Sequence, residues 1–135
     1  LGIAISKPSA KIWCIDGDGA ALMHMGAMTV IGSSAPQNMV HIIINNEAHE
    51  TVGGMPTAAG SIDLVGVAKA CGYPYAACAD NFTDLDRELR DSKQRHGLSM
   101  IEVRCALGAR SDLGRPTTTP VENRQSFMKY LSELN

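Results

Sequence analysis

The segment Val40–Asn45, "VHIIIN", constrains the fold more than any other in the chain. A strand that is apolar at consecutive positions offers no face to water, so it must be covered on both sides, as the strands of helix-flanked parallel sheets are. The neighbouring residues supply such elements. Lys11 to Asp16 reads as a short buried strand, and Ala20 to Gly32 as a helix rich in Ala and Met, ended by the glycine and a "SSAPQN" loop. Ser61 is expected to cap a helix running to about Ala70 and stopped by Gly72, and Tyr75 to Cys78 reads as a short strand. Thr83 or Asn81 caps an amphipathic helix to about Gln94, Leu98 to Cys105 is another strand, and a last helix starts near Glu122. The order β-α-β-loop-α-β-α-β predicts an α/β, doubly wound parallel sheet with helices on both faces, whose ligands bind at the carboxyl ends of the strands.

Length and charge narrow the function classes. At 135 residues the chain is one domain, so a site lying between two domains must borrow the second. A net charge of −2 gives no basic stripe for a phosphate backbone, which argues against nucleic acid as a partner. No apolar run approaches the roughly 18 to 20 residues of a membrane span, and a soluble chain is expected. The abrupt start, "LGIAISKPSAK", has none of the regions of a signal peptide and reads as cut from something longer. Cys14, Cys71, Cys78 and Cys105 sit singly in apolar segments, as buried reduced thiols of a cytoplasmic protein would. The four histidines show no HExxH-like pair, and the spacing argues against a zinc site.

The stretch "CIDGDGAALMHMGAM" carries the chemistry. Gly17-Asp18-Gly19 falls at the end of the first strand and the start of a helix, where backbone N–H groups attract anions. A carboxylate placed there repels a phosphate unless a cation lies between them, and Mg²⁺, which takes one or two carboxylates plus phosphate oxygens and water, resolves the conflict. Asn45 and Asn46 stand at the end of the next strand with amide oxygens to offer, and the carbonyl of Ala48 lies just beyond.

These residues resemble the thiamine diphosphate motif, in which GDG is followed, one helix and one strand later, by Asn-Asn. The resemblance makes Asp18 and Asn46 metal ligands, with Asn45 left open as the neighbour, and gives Ala48 the position that offers a backbone carbonyl. Gly17, Gly19 and Ala20 match the turn that cradles the diphosphate. Together with "NNEAHETVGGMPT" and "GARSDLGRPTTTP", the wording is similar to the carboxyl-terminal part of the phosphonopyruvate decarboxylase family, with sulfopyruvate decarboxylase the runner-up and acetolactate-synthase-like carboligation more distant. The resemblance covers nearly the whole chain. It implies thiamine diphosphate and Mg²⁺ as cofactors, a 2-oxo acid as substrate, and decarboxylation of phosphonopyruvate to phosphonoacetaldehyde and CO₂ in phosphonate biosynthesis. It also implies a homo-oligomer in which a pyrimidine-binding domain or subunit supplies the missing half of the site. Residues 1–135 are then the diphosphate and Mg²⁺-binding domain of a longer enzyme, inactive alone. A flavodoxin-like binding module that happens to keep GDG and Asn-Asn is the non-enzyme alternative.

Other residues divide between function and structure. His49 and Glu50 lie just past the asparagines and are candidates for substrate binding or proton transfer. Thr51, Gly53 and Gly54 read as backbone donors or as parts of a mobile closing loop. Arg110 and Arg115 offer guanidinium groups that match a phosphonate, or are solvated loop charges. His24 and the methionines around it read as helix packing, and Asp16 as a residue that orients the turn rather than a ligand.

Overall fold

The structure, a computed structural model, describes residues 1–134. Four parallel strands form the sheet: β1 (Ile12–Gly17), β2 (Met39–Asn45), β5 (Tyr75–Ala79) and β6 (Ser99–Arg104), in the order β1-β2-β6-β5. A two-stranded antiparallel hairpin, β3 (Ala48–His49) with β4 (Met55–Pro56), stands outside it. The helices are α1 (Gly2–Ser6), α2 (Asp18–Met23), α3 (Gly26–Ser34), α4 (Leu64–Ala70), α5 (Phe82–Gln94) and α6 (Pro120–Glu133).

β2 behaves as its apolar run predicts. Alternate residues point to opposite faces, so Met39 and Ile43 join Ala4, Ala21, Met28, Leu64 and Ala68 of α1 to α4 in one core, while Val40 and Ile42 join Ile101, Ala79, Leu85 and Leu89 beneath α5 in the other. Val40, Ile43 and Ile101 are fully buried, which stabilises the fold by roughly 1.5–3 kcal/mol per side chain. Helices cover both faces, as the doubly wound expectation requires.

β1 departs from it. It is an edge strand and not a buried one: its residues alternate in burial, with Ile15 66 % exposed, because α5 covers β5, β6 and β2 but does not reach β1. The single helix expected over Ala20–Gly32 is two. The chain leaves α2 at His24, and three-residue bonds from Ala27 to His24 and from Met28 to Met25 tighten the link before α3 begins at Gly26. α4 is capped by Asp63, whose side chain accepts the Gly66 N–H at 2.9 Å; Ser61 lies in a 3-10 turn ahead of it. Asn81, not Thr83, caps α5 by accepting from Asp84 N–H at 2.9 Å. α6 starts at Pro120, capped by Thr119 in a reciprocal box with Glu122. It buries no residue, and residues 104–130 are exposed throughout.

The thiols divide in the same way. Cys14 and Cys71 are half-buried against the core, but Cys78, on the edge strand β5, and Cys105, past the end of β6, are exposed, so the expectation of four buried thiols fails at the two positions where the sheet runs out of cover. All four are free. Among the described residues no helix is long and apolar enough to cross a membrane.

Candidate functional site

The aspartate of GDG sits where the sheet's edge pair meets α2. Gly17 ends β1 in extended conformation as the N-cap of α2, and Asp18 opens that helix, 2 % exposed. Burying a carboxylate is costly unless it is paired or bound to a metal. Here the Thr57 hydroxyl donates to Oδ2, and Oδ1 receives no hydrogen bond among the described residues. One residue past Asn45, the last of β2, Asn46 turns toward the same space. A cavity of about 320 Å³ is lined by Gly17, Asp18, Gly19, Ala20, Met23 and Ile44 on one side and Asn46, Ala48, His49, Glu50 and Thr51 on the other.

The two asparagines part company. Asn45, 3 % exposed, donates from Nδ2 to Glu102 Oε1 at 2.7 Å and accepts the Glu47 N–H on Oδ1 at 3.1 Å, so it faces into the sheet and away from the cavity. Asn46 donates from Nδ2 to Glu50 at 2.7 Å, which fixes its amide with the oxygen as the other end; Oδ1 accepts the Ala48 N–H at 3.2 Å and keeps a second lone pair. Opposite Ala48 in the hairpin stands Pro56, which has no N–H to give to the Ala48 carbonyl. A carboxylate, an amide oxygen and a carbonyl are hard donors of the kind Mg²⁺ selects, and the residues present fit that ion.

His49 lies over the turn. A Cβ added at Gly19 would stand 2.3 Å from its Cε1 and 2.4 Å from its Nδ1, so only glycine leaves room for the ring. Among the described residues the imidazole makes no hydrogen bond, which leaves both nitrogens for a ligand.

Glu50 accepts on both oxygens, Oε2 from Asn46 and Oε1 from the Gly108 N–H at 2.7 Å, so it holds the asparagine and the start of the tail in place. Arg110 and Arg115 do not reach the cavity: the tail lies exposed on the surface, and Arg110 pairs with Asp112 at 3.2 Å. The segment read as a mobile loop is a hairpin closed at its base by Thr57 N–H to the Glu47 carbonyl at 2.8 Å, and Gly53 and Gly54 adopt the left-handed conformation its turn needs, φ 97° and 72°. Among the methionines, Met28 is buried, whereas Met23 is exposed and lines the cavity. The roles of Thr57 and Pro56 arise only when the hairpin folds back on α2. Asp16, as expected, is outside the cavity lining.

A family model described as the thiamine pyrophosphate enzyme, C-terminal TPP binding domain, matches residues 1–103. The chain belongs to this family of thiamine pyrophosphate enzymes. Among curated relatives of this TPP-binding domain, it is 33 % identical over 132 residues to a phosphonopyruvate decarboxylase of Streptomyces viridochromogenes, covering 98 % of this chain and 33 % of that protein. It is 39 % identical over 71 residues to the sulfopyruvate decarboxylase subunit beta of Methanococcus maripaludis, covering 53 % of this chain and 38 % of that one. The TPP-binding domain therefore spans about one third of the length of these relatives. A solved chain from Mycobacterium smegmatis, described as thiamin diphosphate-dependent, superposes with a TM-score of 0.59 at 18 % identity, over 73 % of this chain and 18 % of its own, which shows the shared fold.

Proposed function

We propose that this TPP-binding domain is the diphosphate and Mg²⁺-holding part of a phosphonopyruvate decarboxylase that releases phosphonoacetaldehyde and CO₂. The observation that carries the reading is the convergence of Asp18, Asn46 and Ala48 on one cavity floored by Gly17, Gly19 and Ala20. When bound, thiamine diphosphate supplies the electron sink that makes loss of CO₂ from a 2-oxo acid feasible. Asp18 Oδ1, Asn46 Oδ1 and the Ala48 carbonyl hold the metal, Thr57 fixes the other oxygen of Asp18, and Glu50 keeps the asparagine amide from turning over. His49, above the glycine turn, is placed to hold or deliver a proton at its ring nitrogens.

The choice of phosphonopyruvate is supported by a match that runs through 98 % of the chain, the exposed tail included. Sulfopyruvate has its own support in the higher identity over a shorter stretch to the Methanococcus maripaludis beta subunit, a kind of relative that also favours a partner domain or subunit completing the site. The free thiols suit a cytoplasmic enzyme, and a homo-oligomer follows from the same reading.

The test is aldehyde release by the complete enzyme, pyrimidine-binding part included, from phosphonopyruvate, sulfopyruvate and pyruvate with thiamine diphosphate and Mg²⁺ present. Preferential turnover of phosphonopyruvate is expected. Preference for sulfopyruvate overturns the substrate and keeps the metal site; cofactor binding with no turnover of any 2-oxo acid overturns the decarboxylase reading.

A further inference from the structure

Sequence spacing argues against a zinc site, yet the fold assembles three donors that spacing does not show. On β1, Cys14 and Asp16 are two residues apart and so share a face of the sheet, and His41 is the β2 residue that pairs with Cys14 in the register. Their ligand atoms, a thiol sulfur, a carboxylate oxygen and a ring nitrogen, all lie within 4.8 Å of one another. His41 Nε2 is 2.9 Å from Asp16 Oδ2, and Cys14 Sγ is 3.9 Å from the same oxygen. The His41 side chain is 4 % exposed and the Asp16 side chain 41 %, so the cluster is anchored in the core and opens to solvent at the carboxylate.

We propose that Cys14, Asp16 and His41 form a binding site for a borderline-soft divalent cation of the zinc type, separate from the hard-oxygen site at Asp18. Tetrahedral coordination with bonds of about 2.0 Å to nitrogen and oxygen and about 2.3 Å to sulfur sets ligand atoms about 3.3 Å (N to O) and about 3.5 Å (S to O) apart. The two spacings to Asp16 Oδ2 miss those values by about 0.4 Å each, the first too short and the second too long, and sulfur and nitrogen lie within 4.8 Å of each other, so binding draws the three donors inward by side-chain rotation. Water from the open side takes the fourth position. On binding, the thiol proton leaves to solvent and the sulfur coordinates as thiolate.

Tyr73 makes the histidine ready for either state. Its hydroxyl lies 3.1 Å from His41 Nδ1. Without metal it donates to Nδ1 while Nε2–H donates to Asp16; with metal it accepts from Nδ1–H while Nε2 gives its lone pair to the ion. The sulfur and nitrogen donors disfavour Mg²⁺, which separates this site chemically from the one at Asp18, just past the end of the strand.

The experiment titrates Co²⁺, an optical stand-in for Zn²⁺, into the complete chain. One equivalent should produce a thiolate-to-cobalt charge-transfer absorption that Zn²⁺ displaces and Mg²⁺ does not. Cys14→Ser should abolish the band, Tyr73→Phe should weaken affinity about tenfold, and Asp18→Ala should leave the band in place. No band in the wild-type chain, a band that persists in Cys14→Ser, or one lost in Asp18→Ala overturns the proposal. The readout needs no turnover, so its failure is distinct from failure of the decarboxylase reading.

Discussion

Asp18 and Glu102 are both buried carboxylates, 2 % and 1 % exposed, carried toward the carboxyl end of the same parallel sheet, and their surroundings are opposite. Glu102 Oε1 accepts from Asn45 at 2.7 Å and from Arg104 at 3.2 Å, so the chain itself compensates the charge. Asp18 has one hydroxyl, from Thr57, and a free oxygen on a cavity. A buried charge with its own cation is architecture; one left a cation short is prepared for a ligand. Adjacent residues of one dipeptide serve the two sides, since Asn45 belongs to Glu102 and Asn46 to the cavity.

The contrast breaks most visibly at Asp18 itself. Asp18→Ala should abolish Mg²⁺-dependent thiamine diphosphate binding in the complete enzyme, measured by calorimetry, while metal-free stability in urea falls by no more than about 1 kcal/mol, because an uncompensated buried charge has been removed. A loss of several kcal/mol would place Asp18 with Glu102 as architecture. Asn45→Ala should show the reverse, a destabilisation of about 2–3 kcal/mol in urea from a buried carboxylate stripped of its best donor, with a smaller effect on cofactor affinity than Asn46→Ala. Equal effects of the two alanines on affinity would erase the distinction between them.

A finer cut falls on the residues that only hold the ligands. Thr57→Val, which keeps shape and removes the hydroxyl, should lower Mg²⁺ affinity about tenfold without unfolding the chain, read by the Mg²⁺ concentration needed for half-saturation with cofactor. The smallest effect belongs to a carboxylate of a third kind, half-buried in the first turn of a helix. Asp84 is held below the usual carboxylate range by the Asn81 amide first and by Arg87 second. A carboxyl lowered in the folded state contributes stability that is complete above its ordinary value of about 3.9 and is lost as pH falls through the lower folded value. Urea midpoints of wild type and Asp84→Asn should therefore differ near neutrality and converge in acid; a gap that widens on acidification would reverse the sign.

Much of this was legible in the residues. The β-branched run of β2 announced a doubly covered strand, because side-chain chemistry alone dictates that outcome, and GDG with Asn-Asn marked two strand ends that a parallel sheet must bring side by side. What stayed hidden depends on long-range placement. Nothing local tells Lys11–Asp16 that it is an edge, since its apolar alternation is the same in either setting. Ser61 and Asp63 are both competent caps, and the choice rests on where the chain enters α4. The bonds from Thr57 to Asp18 and from Gly108 to Glu50 were invisible for the same reason: each joins residues far apart in the chain. Arg110 and Arg115 had suitable chemistry and no packing to aim it.

The hairpin's base has one more consequence. Thr57 is fastened twice, by its backbone N–H to the Glu47 carbonyl and by its hydroxyl to Asp18, so the clasp of the loop and the grip on the buried carboxylate are the same residue. Under the proposed function, loading the site should slow opening of the hairpin, and the exchange rate of a single amide, that of Thr57, should serve as a gauge of occupancy that needs no substrate at all.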